Sequence, residues 1–513
     1  MSVLCYNDDM KNHSGSEILI FILIVATAIF FRFYHLEQAP PGLYPDEAMN
    51  GSNALIANAT GDYKIFYPEN TGREGLFINI EAISIKWFGI HPWALRGVSA
   101  MFGVLTVIGL YFLVRELFDR HIAALSSFLM AISFWHVNFS RIGFRAIMVP
   151  FVLVYAFYFL WRGLRRGTLT DFFWAGIFGG MGFYTYLSYR IAPLIAIIVF
   201  INYWWYLKKD FGHAKYEHSR NRLIMGFALL FLVTFFVAAP MGWYFLNHPG
   251  DFFERSTVSV FAQSNPLHAL SASIVQTLGM FNFSGDLNQR HNFFGQPMLP
   301  WPIGILFLIG FIKEAWHWLS RKHGHFSTVH TLLFSWFFVM LLPGFLSTEA
   351  PHALRTIGVI PVVMIFAGRG LWWIFGALGA WYDNNYPAAK YRTRHMSVMA
   401  IWTLIIFLAS LTIYEYNRYF NIWADAPETA AAFDQNYADV ANTINSLPIS
   451  TKKYVIVSAQ GFYAYGLPVP AETVMFLTDT PTPELQKAKN VYYLTPDQVR
   501  GYHFAGKEIF ELK

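Results

Sequence analysis

Long apolar runs, not amphipathic stripes, dominate the first four-fifths of the chain. Eleven runs of about 16 to 26 residues carry few charges: 17–34, 93–114, 121–138, 146–161, 171–188, 191–207, 223–245, 300–319, 329–346, 356–381 and 396–415. Crossing a bilayer takes about 20 apolar residues in a helix, and a lone segment satisfies its own backbone in lipid only as a helix. The pattern predicts an all-α polytopic membrane protein with about eleven transmembrane helices over residues 1–415. It leaves two long loops, 35–92 and 246–299. After about residue 416 the pattern changes. Segments 454–458, 473–478 and 490–495 are short, β-branched and aromatic, and are punctuated by Pro and Gly, which predicts strands. Segment 430–447 predicts a helix. A small α/β domain over 416–513 is expected, and it has no Gly-rich phosphate loop and no metal-ligand spacing. No whole-chain repeat is visible.

Composition narrows the class. Only 13% of the 513 residues are charged, about half the roughly 25% of ordinary soluble domains. Hydrophobic residues make up 55%, aromatic residues 19%, and mean hydropathy is +0.36. A soluble enzyme, a disordered chain and a coiled coil are all excluded on these figures. The net charge of +5 points to basic cytoplasmic loops in a membrane protein, not to nucleic acid. The single cysteine, Cys5, excludes an intramolecular disulfide and an all-Cys metal site. The run 18–31 is followed by Arg32-Phe33-Tyr34-His35, not by small residues, so it reads as an uncleaved first span.

Charge sorting gives an orientation. Loops 115–121, 162–170, 208–222, 313–325 and 382–395 hold 16 Lys and Arg in 58 residues, whereas 35–92, 139–145, 189–190, 246–299 and 347–355 hold 9 in 130. By the positive-inside rule the first set is cytoplasmic. The N-terminus is then inside, and both long loops and the C-terminal domain are outside. Long loops usually carry function, so the working face is exterior.

Four exterior clusters and one exterior turn are candidates for chemistry. Asp46 and Glu47 are adjacent carboxylates in a Pro-rich, aromatic stretch. On a helix neighbours point about 100° apart, so one can act as a general base and the other as a metal ligand or structural partner; a helix start rich in acids is the plainer alternative. Arg73 and Glu74 sit between Gly72 and Gly75, before a helical stretch reaching Phe88, as ligand contacts or as a turn and cap. Arg141 and Arg145 lie i,i+4 apart, which puts them on one face if helical. They suit phosphate oxygens or lipid headgroups. His352 and Arg355 lie i,i+3 apart ahead of a span, suited to an anion at a helix start. Tyr186, Tyr189 and Arg190 sit at an exterior turn, either as an interfacial belt or as a sugar-stacking surface. Asp286, Arg290 and His291 add polar groups without an informative spacing.

The Asp46-Glu47 pair in a large first exterior loop resembles the GT-C superfamily of polytopic glycosyltransferases. Segments 94–100 (Ala-Leu-Arg-Gly-Val-Ser-Ala), 136–141 (His-Val-Asn-Phe-Ser-Arg) and 352–358 (His-Ala-Leu-Arg-Thr-Ile-Gly) are similar to bacterial members, such as protein O-mannosyltransferases and lipid A aminoarabinose transferases. The resemblance covers about 15–415. It implies an inverting hexosyl or pentosyl transfer from a polyprenyl-phosphate sugar to a cell-envelope acceptor, in the plasma (inner) membrane. It implies Asp46 as general base, with Glu47 beside it. Arg141, Arg145, His352 and Arg355 would hold the donor phosphate, and Arg73, Glu74, Tyr186, Tyr189 and Arg190 the acceptor or sugar. No cofactor is required by it, although some relatives use a divalent metal. Many relatives carry His-Pro-Pro where this chain has Gly72-Arg73-Glu74-Gly75, and several carry a second acid where it has Arg141 and Arg145. The competing expectation is a transporter or flippase of lipid-linked saccharides. A transporter would more often place ionisable groups inside spans, and the spans read as almost free of them.

Overall fold

The structure is a computed structural model that describes residues 15–210, 213–253, 259–320, 325–385, 392–500, 504 and 507–513. Cys5 and the N-terminal charges lie outside the described residues. Among the described residues nine helices are long and apolar enough to cross a membrane: Gly15–Phe33, Pro92–Leu117, Arg145–Arg166, Leu187–Lys208, Ser219–Asn247, Trp301–Ser320, Ser327–Phe345, Ile357–Trp381 and Met399–Trp423. The chain is an integral membrane protein. The two remaining runs fold as short helices, Arg120–Ile132 and Leu169–Met181. Thirteen residues rise only about 20 Å, too little to cross a hydrocarbon core of about 30 Å unaided. The first of these breaks at Ser133 and resumes as Phe134–Phe139.

The spans are less empty of charge than their composition suggests. Arg32, Arg96, Glu314, Glu415 and Arg418 are buried in them. Most are bound locally. Arg32 donates to the carbonyls of Ala28 and Ala131 at 3.1 and 2.9 Å, and Glu314 meets Arg369 at 2.6 Å and His330 at 2.9 Å. These groups neutralise helix ends and one another, which is how a low-dielectric interior tolerates charge.

The C-terminal region forms a small α/β unit. A parallel sheet has Lys452–Val457 in the centre, flanked by Val491–Leu494 and Lys507–Leu512. A second, two-stranded hairpin joins Tyr463–Ala464 to Leu467–Pro468. The expected helix over 430–447 divides at Asp434, whose φ is 50°, into Pro427–Ala432 and Gln435–Ser446. Segment 473–478 is not a strand; it belongs to the helix Ala471–Leu477. Its β-branched and aromatic residues are there because both sides are buried: Val474 in the domain's own core, and Phe476 against the first loop with Leu43, Ala48 and Ile78. Packing has overridden propensity.

The first loop is helical where it matters. Pro45–Thr60 and Gly75–Phe88 pack together, with a two-stranded turn between them pairing Phe66–Tyr67 with Arg73–Glu74. The C-terminal domain lies on the Pro45–Thr60 helix. Thr473 donates to the Leu43 carbonyl at 2.9 Å, and Met49 packs with Ala464 and Val469.

Candidate active site

The helix Pro45–Thr60 positions the centre. Pro45 opens it with a preset φ, and Glu47 reaches back to the Tyr44 N–H at 3.3 Å. Asp46, Asn50 and Asn53 follow at i, i+4 and i+7, so they share one face. Glu47, Ala48, Gly51 and Ala54 are buried. Glu47 accepts from Arg96 Nε at 3.1 Å, from Arg96 Nη2 at 3.2 Å and from the Gly143 N–H at 2.7 Å. Arg96 in turn donates to the carbonyls of Pro40 and Gly42. This buried pair ties the first loop to the second span and to the 139–145 turn. It fixes the helix start and therefore Asp46.

A cavity of about 440 Å³ opens beside Asp46. Its wall comes from four separate stretches: the first loop (Tyr44, Asp46, Asn50, Asn70, Arg73), the turn after Gly143 (Phe144, Arg145), the long loop (Asp286, Asn288, Arg290, His291) and 349–355 (Glu349, His352, Arg355), with Tyr186 at one side. Asn70 donates to Asp46 Oδ1 at 2.7 Å. Among the described residues, Oδ2 has no protein donor. Arg73 forks onto Asn50 Oδ1 at 2.7 Å and Asn53 Oδ1 at 2.5 Å; burial and the neighbouring Arg145 hold its pKa below the usual value. Arg145 donates to Glu74 at 2.6 Å and stacks over Tyr186, 5.3 Å from the ring centre. Arg355 bridges Ser347 and Glu349, each at 2.5 Å. Four arginines against three acids leave the lining cationic.

Asp286, His291 and His352 could hold a metal ion, since their ligand atoms lie within 4.8 Å of one another. Asp286 Oδ2 takes His291 Nδ1 at 2.9 Å and the Ala353 N–H at 2.8 Å. Burial pushes Asp286 upward, but the His291 hydrogen bond and the nearby His352 outweigh it, so the carboxyl stays below its ordinary value. Burial, with His291 alongside, brings His352 down to about 3. Two imidazoles beside a carboxylate are a donor set that suits zinc and similar ions.

The comparisons follow this architecture. A family model described as dolichyl-phosphate-mannose-protein mannosyltransferase matches residues 77–244. Archaeoglobus fulgidus oligosaccharyltransferase AglB, in complex with an inhibitory peptide and a dolichol-phosphate, superposes with a TM-score of 0.56, covering 94% of this chain and 65% of that one at 14% identity. ArnT from Cupriavidus metallidurans, bound to undecaprenyl phosphate, superposes with a TM-score of 0.55 over 94% of this chain and 90% of that one, again at 14% identity. The chain has the fold of the GT-C superfamily. In sequence, 194 residues are 24% identical to YkcB of Bacillus subtilis, a curated protein with a provisional mannosyltransferase name. That match spans 36% of this chain but only 26% of YkcB.

Within this cavity the expected residues sort unequally. Asp46, Arg73, Arg145, Tyr186, His352 and Arg355 all line it. Glu47 does not; it is the structural partner of the acid pair, fully buried on Arg96. Arg141 is not a phosphate ligand here. It is buried, and its guanidinium donates to the carbonyls of Phe31, Tyr34 and Ala39 at 2.7–3.0 Å. The segment 140–144 is a turn, so Arg141 and Arg145 do not share a helical face. Glu74 sits behind the wall as the partner of Arg145. Tyr189 is buried too, with its hydroxyl on the Gly179 carbonyl at 2.8 Å, and Arg190 lies over Phe245 and Phe252. His352 and Arg355 precede the helical turn Ile357–Val359 rather than opening it, and burial works against a positive charge on His352. Asn50, Asn53, Asn70 and Glu349 were missed. The i+4 and i+7 spacing from Asp46 was the available signal for the two helical asparagines; Asp286 and His291 carried none.

Proposed function

We propose that this chain is an inverting glycosyltransferase that moves a hexose or pentose from a polyprenyl-phosphate donor to a cell-envelope hydroxyl at the exterior membrane face. The observation that carries this reading is one cavity holding Asp46 together with Arg145 and Arg355. Asp46 takes the proton of the acceptor hydroxyl. The oxygen attacks the anomeric carbon, the bond from that carbon to the phosphate oxygen breaks, and polyprenyl phosphate leaves with the electron pair. Configuration inverts because attack and departure occur on opposite faces. Negative charge grows on the phosphate, and fixed guanidinium donors stabilise it most where water is excluded. Arg355 is held by Glu349, whose side chain is 55% exposed; exchanging such a partner for phosphate costs little. Binding of polyprenyl phosphates by ArnT and AglB supports the donor class, and the basic loop set supports a cytoplasmic N-terminus and an exterior C-terminal domain.

Asp286, His291 and His352 would hold a divalent cation. When bound it supplies positive charge at a phosphoryl oxygen. Around it, His291 and the Ala353 N–H orient the Asp286 carboxylate.

The test is transfer by the purified full chain in lipid nanodiscs. A panel of polyprenyl-phosphate hexoses and pentoses is offered with envelope acceptors, and products are read by mass spectrometry. A mass gain of one sugar that is absent for Asp46→Asn supports the reading. Net movement of an intact lipid-linked saccharide across the bilayer without transfer refutes it.

A further inference from the structure

The hairpin of the C-terminal domain turns on two residues, Tyr465 and Gly466, with φ of 52° and 83°. Two successive left-handed residues make the tight primed turn that favours Asn-Gly. An aromatic residue at the first position is strained, and such outliers persist where the surroundings use them. Here the Tyr465 hydroxyl reaches the first loop. It accepts from Asn53 Nδ2 at 3.0 Å and donates to Glu69 Oε1 at 3.1 Å. The same Asn53 presents its Oδ1 to Arg73, and the Glu69 carbonyl takes Arg73 Nε at 3.4 Å. Asn50, the other arm of the fork, is anchored on the Gly143 carbonyl at 3.0 Å. Both neighbours of Arg73 that Tyr465 touches therefore bear directly on a guanidinium in the cavity wall.

We infer that Tyr465 is a positioning residue of the transfer cavity, through which the C-terminal domain sets the Arg73 guanidinium for the acceptor. The hydroxyl has two partners and serves both: it fixes the Asn53 amide with its oxygen toward Arg73, and it holds the Glu69 side chain so that the 69–73 turn keeps its place. The hairpin is seated on the first loop, where Ala464 and Val469 pack on Met49. The domain is thus part of the site's architecture rather than an appendage.

This inference rests on reading the cavity as the transfer site, and the experiment separates the two. Tyr465→Phe in the full chain keeps the ring and removes both hydrogen bonds. Hydrogen exchange over 69–75 quickens several-fold, while the central strand 452–457 stays as protected as in the wild type. The acceptor KM rises about fivefold, the worth of roughly one hydrogen bond, with kcat and donor KM within twofold of wild type. In an Arg73→Lys background Tyr465→Phe adds no further loss. Unchanged exchange over 69–75, an unchanged acceptor KM, or additive losses in the double variant each overturn the inference. A wild type that transfers no sugar, with exchange that still quickens, refutes the transfer reading and leaves the Tyr465–Arg73 coupling standing.

Discussion

The Glu47–Arg96 pair is more than an ion pair, and this yields a sharp prediction. Both side chains are fully buried, with contacts of 3.1 and 3.2 Å. They also satisfy four backbone groups: the carbonyls of Pro40 and Gly42, and the N–H groups of Tyr44 and Gly143. Arg96→Met strands a buried carboxylate, which costs about 3–5 kcal/mol, a large share of the roughly 5–15 kcal/mol that folded domains have. For an isolated buried pair, replacing both members with apolar residues is nearly neutral or stabilising. Here Glu47→Leu with Arg96→Met leaves four backbone groups without these partners, and two of them, the Pro40 carbonyl and the Gly143 N–H, are buried, at about 1–3 kcal/mol each. The double variant is therefore predicted to remain at least about 2 kcal/mol below the wild type. The assay is denaturant and thermal unfolding of purified protein in one detergent, for the wild type, both single variants and the double. Recovery of the double variant to within about 1 kcal/mol of the wild type would refute the backbone role.

Three further outcomes are expected. Glu81 is buried, neither carboxyl oxygen has a hydrogen-bond partner, and burial together with Glu47 raises its pKa well above 4.5; a raised carboxyl stabilises fully below its unfolded pKa and loses that contribution as pH rises through the folded one. Glu81→Gln should thus gain stability over the wild type increasingly above about pH 4.5, and a pH-independent difference in melting temperature would contradict this. Gly51 leaves room for the Phe476 ring, so Gly51→Leu should cost about 1–3 kcal/mol by overpacking and speed proteolysis at the C-terminal domain boundary; unaltered cleavage would count against the docking. Zinc or manganese should raise the wild-type melting temperature at pH 7.5, and Asp286→Asn or His291→Ala should abolish that shift; an equal shift in these variants would place any metal elsewhere.

The legible parts of this molecule are those governed by local rules. Lipid forces each crossing segment to be long, apolar and helical, so nine spans stand out from hydropathy alone. The short helix Leu169–Met181 reads the same way, since hydropathy registers apolarity and not where a helix stops. Asp46 is visible because a carboxylate in a Pro-rich exterior loop is locally unusual. Arg141 shows the limit. Its place at the outer surface suggests an anion, but it is spent on carbonyls at the end of the first span, where a helix leaves acceptors open. Nothing local separates it from Arg145, four residues on, which does reach the cavity. Asp286 and His291 meet His352 across about sixty residues of chain, a tertiary event without a periodic signature. Segment 473–478 misleads for a related reason: a helix buried on both sides uses the residues of a strand.

The most direct measurement is single-turnover transfer by the full chain carrying Asp46→Asn, beside its affinity for undecaprenyl phosphate. In the proposed reading Asp46 is the base, and Arg145 and Arg355 hold the phosphate. The account predicts a loss of at least about a hundredfold in the chemical step, with phosphate-lipid affinity within twofold of wild type. Transfer at near the wild-type rate by Asp46→Asn would contradict it.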